Sequence, residues 1–547
     1  MKMQILDVNY ILDKDGRPVV QLFGKDEYGK SACCFVPGFA PYFYARTLSG
    51  DGSGNDTINA TISSLKKNFS EIVDIEIVER FLPVGYQTKK VPILKIIVKK
   101  PGDVPVIRDK VKSSIGIVEI YETDILFKNR FMVDVGISPM GWIETGEDER
   151  VDYEGNFKID SISSDVKIVS TQVSAVEILK NAPLRSLGFD IECLVEGGVM
   201  PTAEHAPVIM ISLAFDPPFV KVGEKRDAEA GAEPETLDDL VLLIKDYKGR
   251  GVESFKSEED MLRRFFEIIR VYDADILVGY NSNSFDIPYI LDRIKTLAET
   301  KRITIDSNGG RDGRDMSYRK FGNTTQVYAT GRLLVDDLPL IRRGFSLKQY
   351  KLETVARELL DIEKLDVAVS QMEEYWKDTG EKFDKFVDYA RRDAVLALKL
   401  MLNLRLLDKH FATARLSGTV VQDVLDSGQT IMVENLLLKR FAAQARVMAT
   451  KPDDAESQIR YNHSEDLKGG EVLEPEHGLL EDLVILDYKS LYPTIMMAHN
   501  LCYTTVVPDN AKACAALGID FDEDCIIPPS GGHFVKTAVY KLSLIHI

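Results

Sequence analysis

The chain has 547 residues, 45% hydrophobic and 28% charged, a globular profile too long for one core and suited to about three to five domains. Lys and Arg number 68 against 86 Asp and Glu, so the formal charge of −18 excludes a uniformly basic coat and leaves any nucleic-acid grip to local clusters. The 6 cysteines include no Cys-x-x-Cys pair, which argues against a disulfide framework or a zinc ribbon. With no bilayer-length apolar run and no signal core, a cytoplasmic protein without a membrane partner is expected.

Residues 1–150 read as a mixed α/β N-terminal domain, with strand-like Val19–Phe23 and Ile93–Val98 and turn signals at Asp15-Gly16 and Pro101-Gly102. Gly50–Asn55 is glycine-rich but is followed by no Lys-Ser/Thr pair, and it reads as a loop that opens no helix. Lys89, Lys90, Lys95, Lys99 and Lys100 form a basic cluster better suited to a solvated strand edge than to a duplex grip. A polar linker, Thr145–Gly155, leads into an alternating strand-and-helix region over 151–405. That region carries an acidic surface loop at Glu224–Glu235 and a Gly/Arg/Asp-rich loop at Asn308–Asp315. A helical segment follows at 406–448, and Gly469-Gly470 precedes an apolar strand ending at Asp487.

Three segments of the middle region carry carboxylates in informative places. In Leu187–Leu194, the side chains of Leu187, Phe189, Ile191 and Cys193 share one strand face, and Gly188, Asp190 and Glu192 share the other. The apolar run Val208–Phe215 should pair with it as a hairpin. Adjacent like charges are tolerated when a divalent cation sits between them, although Asp-x-Glu alone equally suits an exposed strand face. Ser257 and Asp260 form a capping box for a helix to about Arg270, followed by a buried strand, Ile276–Tyr280. At its C-terminal end, where ligands gather in open α/β sheets, stand Asn281, Phe285 and Asp286. An Asn-rich turn with Asp286 capping the next helix is the plainer alternative. In a later helix, Tyr389 and Asp393 lie four apart beside the apolar stripe. A half-buried Asp393 needs a partner, either a cation or a neighbour such as Arg392 or Lys399.

Two strand carboxylates, Asn and Asp at a strand end, and Tyr-x-x-x-Asp on a helix together resemble the proofreading nuclease of family B DNA polymerases. The resemblance implies a ribonuclease-H-like 3′→5′ exonuclease domain with a mixed sheet, working with two Mg²⁺ (or Mn²⁺) ions. Hard ions of this kind take oxygen ligands. Asp190 would bridge the ions, Glu192 and Asp393 would complete one shell, and Asp286 would support the second ion through water. Tyr389 would orient the attacking water, and Asn281 and Phe285 would meet the DNA strand end.

The Asp487–Tyr492 stretch, with its Ser-Leu-Tyr-Pro core, resembles the first polymerase motif of the same family. There Asp487 would bind the polymerase ions and Tyr492 would lie under the incoming sugar; a structural strand-turn-helix is the alternative. Leu467 replaces the Tyr of the family's linker motif ahead of Gly469-Gly470. Ile5–Tyr10 and Gly331-Arg332 resemble the archaeal branch, whose template uracil pocket would correspond to Tyr10, Pro41, Tyr42 and Ile93, residues that core packing explains equally well. The fold expected is α/β and multidomain: N-terminal domain 1–150, exonuclease 151–405, helical return segment 406–448, partial palm 449–530 and a short aberrant tail 531–547. The fingers motif and second palm motif of the family are absent, so the sequence reads as C-terminally truncated and not expected to polymerise DNA alone. Implied partners are primer–template DNA, a single-stranded 3′ end, deoxynucleoside triphosphates in the full-length enzyme, and a sliding clamp. A stand-alone 3′→5′ exonuclease and a non-catalytic DNA-binding relative are the rivals; Asp487 in its motif opposes the first, and four retained carboxylates oppose the second.

Overall fold

Contacts divide the chain into two units, Met1–Phe39 with Phe131–Leu436, and Ala40–Arg130 with Leu437–Ile547. The computed structural model describes residues 1–48, 54–146, 162–194, 201–221, 235–322, 324–362, 371–465, 470, 472–528 and 531–539. The linker beyond residue 146, the acidic insertion up to residue 234, residues 467–469 and the tail 542–547 lie outside the described residues. The division assigns residues of the expected N-terminal domain to both units.

In the first unit, an N-terminal sheet runs in the order Val173–Val176, Trp142–Thr145, Lys2–Leu12, Pro18–Asp26, Ser31–Pro37, Val166–Val169. Its first hairpin turns through Asp13–Arg17, where Gly16 adopts φ +75, at the expected Asp-Gly signal.

The second sheet of this unit carries the carboxylates. Its order is Val252–Ser254, Glu235–Leu243, Val208–Lys221, Ser186–Cys193, Ile276–Gly279, Leu333–Asp336. Ser186–Cys193 pairs antiparallel with Val208–Lys221, the expected hairpin, and parallel with Ile276–Gly279, which makes the sheet mixed. Leu187, Phe189, Ile191 and Cys193 all enter one core with Met261, Leu262 and Phe265 of the helix Glu258–Tyr272 and Ile287 and Ile290 of the helix Asp286–Lys301. The expected cap is present: the Ser257 side chain accepts from the Asp260 N–H. On the opposite face, Ala394 and Leu398 of the long helix Glu381–Asn403 join a second core with Ala214, Val278 and Val335. Edge strand Leu333–Asp336 finds a side-chain partner, since the Gln422 amide both donates to the Leu334 carbonyl and accepts from its N–H.

A buried ionic network ties the two sheets of this unit together. Lys25 of the N-terminal sheet lies 3.0 Å from Asp275, which also meets Arg311 at 2.6 Å. Arg311 and Arg332 converge on Asp273, and Arg332 donates to the carbonyls of Gly309 and Ala274. Lys25, Arg311, Arg332 and Asp275 are essentially inaccessible to solvent. Such a network fixes geometry because every charge has lost water and holds a protein partner instead. The Gly/Arg/Asp-rich segment read as a loop is therefore irregular, as expected, but anchored inside the fold by Arg311.

The second unit contains a four-stranded sheet, Ile72–Arg80, Val91–Val98, Tyr42–Thr47, Ile117–Tyr121. The helix Gly54–Asn68 corrects one expectation: Gly54 and Asn55 do open a helix, because Ile58, Ile62 and Leu65 recur at helical spacing and pack on this sheet. Further along the chain, helix Leu491–Ala498 and a small sheet of Val506–Val507, His533–Val535 and Cys525–Ile526 are present. The expected strand ending at Asp487 is absent. Residues 483–487 are irregular, with Ile485 92% exposed. A strand draws its hydrogen bonds from a neighbour, and none of the described strands pairs with this run; the helix after it closes its bonds locally and forms.

Replacing Asp275 by Ala strands Lys25 and Arg311 without their shared carboxylate. Urea unfolding of that variant should show a loss of about 3–5 kcal/mol.

Candidate metal centre

The site starts from a glycine. A Cβ built on Gly188 would stand 2.7 Å from the Ala394 carbonyl oxygen and 2.9 Å from Leu398 Cβ. Only a residue without a side chain lets the helix Glu381–Asn403 lie this close to the strand. Asp393, one residue before Ala394, is thereby delivered to the strand's carboxylate face. Ligand oxygens of Asp190, Glu192 and Asp393 all lie within 4.8 Å of one another, with Glu192 and Asp393 buried and Asp190 half-buried. Three carboxylates at this range repel strongly in a dry site, and together they make an oxygen-only ligand set of the kind hard divalent cations take.

Asp286 joins from a third element. It is the first residue of the helix Asp286–Lys301, and its Oδ1 accepts from the Ile191 N–H at 3.2 Å, between the two strand carboxylates. Burial pushes its carboxyl up to about 7; the Ile191 N–H opposes this, while the charges of Asp336 and Asp393 add to it. Tyr389 hydrogen-bonds Asp393 one turn further along the helix. Burial first, then Glu192, Asp393 and Asp190, hold its phenol far above the usual range, so it stays a neutral donor. Asp393 thus belongs to a carboxylate cluster that joins one strand and one distant helix, with Asp286 bonded to the backbone of that strand.

Asn281 sits in the left-handed region at φ 66, in the loop between Gly279 and Asp286. Phe285, partly buried, packs against the main core with its ring 5.4 Å from that of Tyr289. The loop is held by Asp336, whose Oδ1 accepts from Asn281 N at 2.8 Å and whose Oδ2 accepts from Asn283 N at 3.2 Å. Neither the close-approach role of Gly188 nor this clamp was found from the sequence. An Asp closing the apolar run Leu333–Val335 was the available signal, the same strand-end rule that drew attention to Asp286.

The remaining expected residues lie elsewhere. In the second unit, Asp487 is exposed in the irregular run and Tyr492 is 79% exposed at the start of its helix. Ile93 is buried with Tyr44 and Tyr121, and Tyr42 is flanked by Lys95 and Arg130 over its ring. Pro41 is buried immediately before Tyr42. Tyr10 belongs to the other unit, on the strand Lys2–Leu12.

A family-wide sequence model described as "DNA polymerase family B, exonuclease domain" matches residues 118–355, and one described as "DNA polymerase family B" matches residues 419–546. The chain belongs to DNA polymerase family B. Asp190, Glu192, Asn281 and Asp286 lie inside the first matched range and Asp487 and Tyr492 inside the second, while Tyr389 and Asp393 fall between the two. The catalytic subunit of DNA polymerase delta from Bos taurus is 30% identical over 560 aligned positions, covering 96% of this chain and 48% of that protein. A DNA polymerase from Pyrococcus glycovorans is 30% identical over 510 positions, covering 93% and 55%. The solved structure of the family B DNA polymerase from Pyrobaculum calidifontis superposes with a TM-score of 0.72 at 25% identity, covering 98% of this chain and 61% of that one. The chain spans about half the length of the curated relatives it matches. Among the described residues, no helix is long and apolar enough to cross a membrane.

The raised Asp286 carboxyl has a signed consequence. Its folded-state value exceeds its unfolded value, so without metal the folded chain binds the extra proton between about pH 4 and about pH 7, and stability falls as pH rises through that window. In chelator, the unfolding midpoint should decline over this range less steeply for Asp286→Asn than for the parent. Equal slopes would remove Asp286 as the titrating group.

Proposed function

We propose that this chain removes nucleotides from the 3′ end of single-stranded or frayed DNA, as the proofreading part of a template-directed DNA polymerase. The observation that carries the reading is the convergence of Asp190, Glu192 and Asp393, from one strand and one distant helix, with Asp286 bonded between the first two. Their donor set fits Mg²⁺ or Mn²⁺: all ligands are carboxylate oxygens, and the repulsion among them is what a pair of divalent cations relieves. When bound, such ions supply hydroxide at neutral pH and relieve charge on the leaving oxygen.

The chain's own residues do the rest. Asp190, Glu192 and Asp393 would hold the ions between them, and Asp286, bonded to the Ile191 N–H, would support them. Tyr389 keeps its proton at neutral pH and offers its hydroxyl to orient the attacking water beside Asp393. Asn281 and Phe285, on the loop leading to Asp286, hold the terminal nucleotide. A mismatched terminus unpairs more easily than a matched one, and this biases excision toward errors. Primer–template DNA is the partner throughout, with deoxynucleoside triphosphates and a sliding clamp joining for synthesis. Asp487 and Tyr492 are the proposed ion ligand and sugar-checking residue of the polymerase reaction.

Digestion of a 3′-labelled single strand with Mg²⁺ tests the nuclease reading. The parent should shorten the strand from its 3′ end, and the Asp190→Ala plus Glu192→Ala double variant should lose at least about 10³-fold of that rate, in line with ion-dependent hydrolysis. A double variant as active as the parent defeats the assignment.

A further inference from the structure

We propose that Asp336 is a positioning residue of the nuclease centre, acting through the loop that carries Asn281 and Asp286. This inference rests on the exonuclease reading for its functional consequence, though not for its structural one. Asp336 ends the strand Leu333–Asp336 and is paired in parallel register with Gly279, the last residue of the neighbouring strand. From there its carboxylate takes three backbone donors. Oδ1 accepts from Asn281 N at 2.8 Å and from Leu338 N at 3.1 Å, and Oδ2 accepts from Asn283 N at 3.2 Å.

The Leu338 contact is an ordinary helix cap, since Asp336 is the N-cap of Asp337–Gly344. The other two contacts cap nothing. They hold the loop after Gly279 in an unusual shape, with Asn281 left-handed at φ 66. The same loop closes on itself: Phe285 N donates to the Asn281 carbonyl at 3.0 Å and Ile287 N to the Ser282 carbonyl at 3.0 Å. It folds back so tightly that a Cβ on Gly279 would stand 2.5 Å from Ser282 Cβ. The loop's far end is Asp286, whose Oδ1 meets the Ile191 N–H at 3.2 Å between Asp190 and Glu192. A continuous chain of contacts therefore runs from Asp336 through the Asn281 and Asn283 amides to the back of the carboxylate cluster. Asp336 itself is buried, and that burial pushes its carboxyl up to about 6 against the pull of the three amides. A residue with only a capping duty has no need of a buried carboxylate, because Ser caps as well at lower cost.

Two substitutions separate the duties. Asp336→Ser keeps an oxygen for the Leu338 cap but cannot reach both loop amides. Asp336→Asn keeps the cap and one loop contact. Three measurements apply to each: hydrogen–deuterium exchange across 280–287, the rise in unfolding midpoint on titration with Mn²⁺, and digestion of a 3′-labelled single strand with Mg²⁺. Loop amides should exchange at least about tenfold faster in the Ser variant and less so in the Asn variant, with exchange in Val208–Phe215 unchanged. Half-saturation by Mn²⁺ should move to higher concentration, and kcat should fall about 10–100-fold, the usual effect of losing a residue that orients ligands. If the Ser variant does not fold, the Asn variant decides by the same readouts. Loop exchange and Mn²⁺ half-saturation equal to the parent's in a folded variant would overturn the proposal and leave Asp336 a cap. The exchange and Mn²⁺ arms do not depend on turnover. A parent protein inactive on DNA would count against the nuclease reading, while those two arms still decide the role of Asp336.

Discussion

The approach of one helix to one strand, at a position with no side chain, is the constraint on which the site depends. With Gly188 beneath Ala394 and Leu398, the helix Glu381–Asn403 lies against the carboxylate face of Ser186–Cys193, and Asp393 reaches Asp190 and Glu192. A methyl group there would overlap a backbone carbonyl, which cannot rotate away as a side-chain tip can. Separation of the helix by the width of a side chain would break up the cluster of oxygens while leaving both elements intact. The pairing of a small residue on the strand with an acidic residue on the helix is therefore one feature, although two hundred residues of chain lie between its halves.

Gathering acidic groups in a desolvated place opposes folding, and the fold answers in several ways. The other face of the same strand sends Leu187, Phe189, Ile191 and Cys193 into a large apolar core, so the strand's position does not depend on its charged side. The ionic network of Lys25, Asp273, Asp275, Arg311 and Arg332 fixes the base of the neighbouring strand, with Asp275 standing directly before Ile276. Asp286 lowers its own cost by holding its proton up to about pH 7 and by accepting the Ile191 N–H. Rigid surroundings of this kind are what a metal-dependent centre requires, because ligands that must be organised at each binding event bind more weakly.

The second unit shows the same principles with a different outcome. Its four-stranded sheet is complete and well packed, with Ile58 and Leu65 of one helix and Ile107 and Val111 of another covering one face. The apolar run at 483–486 is as strand-like in composition as any segment of the chain, yet it is irregular, with Val484 and Leu486 largely exposed. Composition makes a run able to form a strand; a neighbouring edge makes it one. Helix Leu491–Ala498 needs no such neighbour and forms at the expected place.

Alternation of apolar and acidic residues in Leu187–Cys193, the Ser257 cap, the strand end at Asn281–Asp286 and the four-residue spacing of Tyr389 and Asp393 could be read directly, because each is a local pattern set by backbone period. Those patterns also carried the family resemblance, since the order and type of the carboxylates survive in the sequence itself. Tertiary structure alone decided the rest. That Asp336 clamps the Asn281 loop, that Arg311 is a buried hub within a segment that reads as a loop, and that Leu483–Asp487 makes no strand are facts about what lies opposite a residue in space. A one-dimensional pattern records which face a side chain takes, but not which distant backbone, charge or edge that face will meet.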